Sequence, residues 1–90
     1  MLTPADVHST VVQQLQRLLE ESSGDQISPQ PGDELIALGL NSLLLARLII
    51  VLEEETGTDP FAEGASLADI RSVGDLVATY EKALSRRVEV

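Results

Sequence analysis

Gly39-Leu40-Asn41-Ser42-Leu43-Leu44 is the stretch around which the rest of the chain can be interpreted. A glycine-containing turn leads into Asn41, a strong helix N-cap residue, and a long apolar segment follows at once. This order predicts a helix that begins at Ser42. The serine hydroxyl then lies in the first turn, where unpaired backbone N–H groups and the positive end of the helix dipole favour a phosphate.

The predicted second helix runs from Ser42 to position 55 or 56, and Gly57 caps its C-terminus. The stripe predicted to face the core consists of Leu45, Leu48, Ile49 and Leu52. A second apolar stripe consists of Leu43, Ala46 and Ile50, flanked by Leu44 and Arg47. Because a small bundle rarely buries a helix on all sides, part of the second stripe is expected to be exposed, which suggests a docking surface; the alternative is that Leu43 and Ile50 belong to a wide core. The acidic run Glu53-Glu54-Glu55 is either a partner-facing patch or a solvated face.

Two more long helices are predicted on either side of this segment. The first has Thr3 as its N-cap and Pro4 in its first turn, and it fades near Glu21. Its core stripe consists of Val7, Val11, Leu15 and Leu18, widened by Val12 and Leu19. The last helix opens with the capping sequence Ser72-Val73-Gly74-Asp75. Its core stripe consists of Val73, Leu76, Val77, Tyr80 and Leu84.

The connections complete the predicted architecture. Residues 22–40 are predicted to form a long ordered loop with a short helical turn over 33–37, and its predicted core anchors are Ile27, Leu35, Ile36 and Leu38. Phe61 is predicted to plug the end of the bundle, and Ser66 to cap a short third helix that ends near Arg71. The expected fold is an all-α, small four-helix bundle, with three long helices and one short one. We expect a single domain over residues 1–90, ordered over about 3–85 and frayed over 86–90.

Composition narrows the classes of function. The chain has 90 residues, no cysteine and a net charge of −9, so disulfides and thiolate metal sites are excluded. The first residues show no basic segment followed by an apolar run, so no secretion signal is expected, and the longest apolar run is too short to span a bilayer. Nucleic acid and anionic membranes are poor partners for so acidic a surface, whereas basic protein surfaces are good ones. A cytoplasmic monomer that binds neither nucleic acid nor membrane is expected.

Sequence patterns of catalysis are missing around the serine. Gly39 stands three residues before Ser42 and Leu44 two after it, so the nucleophile-elbow pattern does not occur. His8, the only histidine, is predicted on the exposed start of another helix, away from a serine it could activate. Calcium-loop and glycine-rich phosphate-loop patterns do not occur either. The residues predict no catalytic residue and no metal site, and they leave open a non-catalytic helical adaptor that binds a partner through the second stripe.

Leu38-Gly39-Leu40-Asn41-Ser42-Leu43 resembles the attachment site of acyl and peptidyl carrier proteins, which carry a 4′-phosphopantetheine arm on the serine of a Leu-Gly-x-Asp-Ser-Leu motif. The stretch 67–77 is also similar to the passage between the third and fourth helices of that family. The order of predicted helices agrees with the four-helix carrier fold over nearly the whole chain. The chain is therefore identified as similar to a carrier domain, and the adaptor is the alternative.

The resemblance implies that Ser42 receives the arm from coenzyme A through a phosphopantetheinyl transferase, with Asn41 and Leu43 beside it in the cofactor site. The terminal thiol then holds an acyl or aminoacyl group as a thioester. The implied partners belong to a polyketide or nonribosomal peptide pathway and include loading, acyltransferase, condensing or adenylating enzymes, with the chain as a free-standing carrier. The residues expected to meet them are Leu43, Leu44, Arg47, Ile50 and Glu54.

Three positions depart from the family pattern. Asn41 stands where the family usually has Asp, which leaves helix capping intact but changes a charged contact with the transferase. Leu44 and Arg47 occupy positions that are often acidic in fatty-acid carriers. Partner recognition is therefore expected to be less acidic and more apolar than in a fatty-acid carrier.

Overall fold

In its described residues, the computed structural model of the chain contains three α-helices and one short 3-10 turn. The structure describes residues 4–24, 26–62 and 64–88, with the backbone alone for residues 4, 5 and 86–88. In chain order the elements are α1 (Pro4–Ser23), α2 (Ser42–Thr56), the 3-10 turn (Leu67–Asp69) and α3 (Val73–Val88). The predicted all-α class is confirmed.

The core lies where α1 packs against both α2 and α3. Both predicted stripes of the flanking helices are confirmed: Val7, Val11, Leu15, Leu18 and Leu19 of α1 are buried, with Val12 half-buried, as are Val73, Leu76, Val77, Tyr80 and Leu84 of α3. His8 is exposed on α1, as predicted. Apolar residues at intervals of three and four therefore face inward along both helices, and their removal from water drives the assembly.

Helix α1 is longer at its C-terminus than predicted. It ends at Ser23 instead of fading near Glu21, because the hydroxyls of Ser22 and Ser23 donate to the carbonyl oxygen of Leu19, at 3.2 and 2.8 Å. The N–H of Gly24 then donates to the carbonyl of Glu20 at 2.8 Å and closes the last turn. The predicted cap at Thr3 lies outside the described residues.

The predicted short third helix is a single 3-10 turn over Leu67–Asp69. The hydroxyl of Ser66 accepts from the N–H of Ala68 at 3.2 Å, as a capping serine should. Ile70, however, already has extended backbone and a buried side chain, and Ser72 caps the next helix. Too few residues lie between the caps Ser66 and Ser72 for an α-helix. The predicted short third helix is therefore corrected to a 3-10 turn, and the bundle has three α-helices in its described residues.

Helix α3 opens with the predicted capping box. The hydroxyl of Ser72 accepts from the N–H of Asp75 at 3.1 Å, and the Asp75 carboxylate accepts from the N–H of Ser72 at 3.1 Å. At the other end the helix continues to Val88, while residues 89 and 90 lie outside the described part, so fraying over 86–90 stays a prediction. No helix among the described residues is long and apolar enough to cross a bilayer.

An aromatic pair, Phe61 and Tyr80, packs at the core. Phe61 is half-buried and packs edge-on against Tyr80, with ring centroids 6.2 Å apart and an interplanar angle of 75°. The N–H of Phe61 donates to the Asp59 carboxylate at 3.1 Å, which orders the loop that carries the ring. Burial raises the pKa of Tyr80, and the charges of Asp59 and Glu53 raise it further, so the phenol stays neutral. Phe61 therefore packs against the core, and its position at the end of the bundle stays a prediction.

Candidate functional site

The N-terminus of α2 is formed as the sequence predicts. Asn41 has extended backbone, and its side-chain oxygen accepts from the N–H of Leu44 at 2.9 Å. The Asn41 carbonyl accepts from the N–H of Leu45 at 2.9 Å. In the described part of the chain no hydrogen bond occupies the N–H groups of Ser42 and Leu43. Ser42 is exposed, so its hydroxyl lies at an accessible helix start with two open backbone donors.

A tight turn over residues 34–39 immediately precedes the start of α2. The N–H of Leu38 donates to the carbonyl of Glu34 at 3.2 Å, and the N–H of Leu40 to that of Leu35 at 3.0 Å. Gly39 has φ +98°, a conformation that side-chain-bearing residues rarely adopt. Leu40 is buried immediately afterwards, which fixes the direction in which the chain enters Asn41. The glycine of the motif is therefore required by the backbone, independently of any ligand.

The same turn is bonded to the start of α3. The N–H of Leu35 donates to the carbonyl of Arg71 at 2.9 Å, and the N–H of Val73 donates to that of Asp33 at 3.0 Å. The N–H of Gly74 donates to the carbonyl of Pro31 at 2.9 Å, and a Cβ on Gly74 would lie only 3.0 Å from that oxygen. These backbone hydrogen bonds fix the segment that leads into α2 against the segment that leads into α3.

A cleft of about 690 Å³ lies beside Ser42. Its walls come from the turn before α2, the first turns of α2 and the segment around the 3-10 turn. The lining residues are Glu34, Leu35, Ile36, Leu40, Asn41, Ser42, Leu45, Ala68, Ile70 and Arg71. Most of these side chains are apolar, and Arg71 is the one basic residue among them. The sequence did not predict this cleft, because its walls are distant along the chain.

Ile36, which lines this cleft, does not lie where the sequence predicts. It was predicted to anchor the long loop in the core, but it is 84% exposed, whereas its neighbour Leu35 is 4% exposed. Adjacent residues in the tight turn point in different directions, and the hydrogen bond from Leu35 to Arg71 directs Leu35 inward. Ile27 and Leu38 pack against the core as half-buried residues, so three of the four predicted anchors are confirmed.

The second helix has the two faces that its stripes predict, with differences at Ile49 and Leu44. Ile49, predicted to face the core, is only half-buried. Leu48 and Leu52 are buried and Leu45 packs against the core half-buried, while Leu43 and Ile50 are 71% and 58% exposed. Ala46, Arg47 and the acidic run 53–55, which includes Glu54, are exposed as well. Leu44 differs, because it is half-buried and packs against the core. The expectation that Leu44 belongs wholly to the exposed face is therefore corrected.

A second groove, of about 440 Å³, runs between α1 and α2. Arg47 and Ile50 line it from α2, and Arg17 and Glu21 line it from α1. Arg47 therefore lies on a different side of α2 from the Ser42 cleft. The described basic residues that line these two cavities therefore differ in position. Arg17 and Arg47 line the groove between α1 and α2, and Arg71 lines the cleft beside Ser42.

The electrostatics of the helix start suit a phosphate. The first turn of α2 contains no acidic residue, although the chain carries a net charge of −9. Asn41 caps the helix without adding a charge. Open N–H groups, the positive end of the helix dipole and a neutral cap together favour a phosphoryl group on the serine. The residues present thus fit a phosphodiester linked to Ser42.

Comparisons with known proteins give a consistent result. The family described as "Phosphopantetheine attachment site" matches residues 9–80. The chain is also similar to MacpD, an acyl carrier protein from Pseudomonas fluorescens involved in mupirocin biosynthesis, whose solution structure has been determined. The identity is 34% and the TM-score 0.76, with coverage of 88% of this chain and 71% of that chain. No curated protein matches the sequence.

Proposed function

This chain belongs to the phosphopantetheine-attachment family, and from that premise we propose that Ser42 carries the 4′-phosphopantetheine arm. The observation that carries the proposal is the position of this serine. Its hydroxyl is exposed at the start of α2, beside two open backbone N–H groups and a largely apolar cleft. The serine also lies inside the matched region, in the sequence Leu-Gly-Leu-Asn-Ser-Leu.

Attachment is a group transfer from coenzyme A. The Ser42 hydroxyl gives its proton to a base of the phosphopantetheinyl transferase, and its Oγ forms a bond to the phosphorus next to the pantetheine. The pyrophosphate bond of coenzyme A breaks, and adenosine 3′,5′-bisphosphate leaves. The terminal thiol of the arm then supplies the thioester chemistry. The chain itself positions the serine and contributes no catalytic residue.

We further propose that the cargo is an acyl group and that the chain serves enzymes of a polyketide pathway. The similarity to an acyl carrier protein involved in mupirocin biosynthesis supports this class of cargo. Partner enzymes then meet the exposed face of α2, which presents Leu43, Arg47, Ile50 and Glu54. Leu44 is adjacent to that face but is half-buried and packs against the core. Loading, acyltransferase and condensing enzymes are the partners expected to approach it.

The proposal is tested by intact mass after incubation with coenzyme A and a broad-specificity transferase. The wild-type chain should gain one phosphopantetheine unit, and Ser42→Ala should gain none. Ser66→Ala is the matched control, because Ser66 is also an exposed serine at the start of a helical turn, and it should be modified like the wild type. Modification of Ser42→Ala would overturn the assignment, and a chain that is never modified would favour the adaptor.

A further inference from the structure

Arg71 is the one basic side chain in the lining of the Ser42 cleft. We propose that it is a positioning residue whose guanidinium binds the phosphodiester that joins the arm to Ser42. This inference rests on the proposed attachment at Ser42. It assigns to Arg71, far from the serine along the chain, a direct contact with the attached group.

The backbone around Arg71 is held firmly at the wall of the cleft. Its carbonyl accepts from the N–H of Leu35 at 2.9 Å, and its own N–H donates to the Asp75 carboxylate at 3.1 Å. The preceding side chain, Ile70, is buried and lines the same cleft. Since Leu35 belongs to the turn that leads into α2, the side chain of Arg71 extends from a point fixed relative to Ser42.

Two carboxylates, those of Asp75 and Glu34, compete with an anion for the Arg71 guanidinium. The Asp75 carboxylate accepts from the N–H groups of Arg71 and Ser72, and these two bonds, in that order, hold the pKa of Asp75 below its usual range, with a smaller contribution from the charge of Arg71 itself. Glu34 is the one acidic residue in the cleft lining. A phosphodiester adds a full charge with two unesterified oxygens, which a planar guanidinium can bind in a bidentate manner.

The backbone donors and the arginine act on the same group. The open N–H groups of Ser42 and Leu43 stabilise the phosphodiester at the helix start, and Arg71 binds it from the cleft wall. With the phosphodiester held there, the arm leaves Ser42 along the cleft and not along the exposed face of α2. Arg71 thus sets the initial direction of the arm.

The test compares the unmodified and modified forms of three chains: wild type, Arg71→Gln and Arg47→Gln. Arg47 is the matched control, because it is an exposed arginine near Ser42 that lines the other groove. Each chain is fully converted with coenzyme A and a transferase, as checked by intact mass, and melted before and after. The gain in Tm on attachment should be about 2–5 °C larger for wild type and Arg47→Gln than for Arg71→Gln. This difference should shrink in about 1 M NaCl.

A second readout follows the guanidinium directly. On attachment, the Nε–Hε signal of Arg71 in a ¹H–¹⁵N spectrum should shift, while that of Arg47 should stay in place. Arg71→Lys should recover only part of the Tm gain, since an ammonium keeps the charge but loses bidentate binding. If the wild-type chain is not modified, the function proposed for Ser42 fails. If it is modified, yet Arg71→Gln gains as much Tm as wild type and the Arg71 signal does not move, the role of Arg71 alone is overturned.

Discussion

Helices α2 and α3 have nearly the same length, 15 and 16 residues, but they place their apolar side chains differently. The whole apolar stripe of α3 is buried. In α2 only Leu48 and Leu52 among the apolar residues are buried, whereas Leu43 and Ile50 are exposed. A helix that serves only the core has no need of apolar residues on its outer side. The difference supports the proposal that α2, unlike α3, also presents a surface to partners.

The two helices also differ in how their N-termini are satisfied. In α3 the first N–H groups are all occupied: those of Val73 and Gly74 by loop carbonyls, and those of Asp75 and Leu76 by Ser72. In α2 the cap occupies only the N–H groups of Leu44 and Leu45. One helix start is closed by the fold, and the other is left open beside a serine. The open start of α2 supports the attachment proposed at Ser42.

The largest expected effect contrasts the two faces of α2. Leu52→Ala should cost about 2–5 kcal/mol of unfolding free energy, because it opens a cavity in a core where Leu52 is fully buried. Ile50→Ser should cost less than about 0.5 kcal/mol, as exposed substitutions do. The same Ile50 variant should still slow loading by partner enzymes. Urea unfolding of both variants, paired with a loading assay, checks this; equal destabilisation would remove the distinction between the faces.

Leu44→Ser should have an intermediate effect. Leu44 is half-buried against the core, so its replacement should cost about 1–2 kcal/mol, more than Ile50→Ser and less than Leu52→Ala. Urea unfolding under the same conditions gives the ranking. A variant as stable as wild type would place Leu44 on the partner face alone.

A smaller effect concerns the closed helix start of α3. Since the pKa of Asp75 is lowered in the folded protein, its contribution to stability is present above the ordinary carboxyl pKa of about 3.9 and is lost as the pH falls through the folded-state pKa. Asp75→Asn should therefore be less stable than wild type at neutral pH, and the difference should narrow in acid. Thermal melts from pH 7 to 3 check this, and a constant difference would contradict it.

The smallest effect on stability is expected at the open helix start of α2. Asn41→Asp should change the free energy of unfolding by less than about 0.5 kcal/mol, because both residues accept the same backbone bond. It should nevertheless change the rate of attachment at Ser42, since it adds a negative charge beside the serine. Thermal melts and a time course of intact mass measure the two quantities. A large change in stability with an unchanged rate would make Asn41 a structural residue only.

The sequence by itself determined the elements that depend on local interactions. The start of α2 at Ser42, its cap at Asn41 and the capping box of α3 follow from residues within one turn of each other. The core stripes of α1 and α3 follow from helical spacing, because one face of each helix is uniformly apolar. The candidate serine and its exposed position are among these local features.

Only the tertiary structure decided which of several apolar neighbours faces the core. Leu35 and Ile36 are adjacent and similarly apolar, and the hydrogen bond from Leu35 to Arg71 buries the first and exposes the second. Leu44 is half-buried because the fold packs it against the core, a contact that spacing along α2 does not predict. The cleft that joins Ser42 to Arg71 exists because backbone bonds connect the turn before α2 to the start of α3. Such contacts join residues distant in sequence, so no local pattern encodes them.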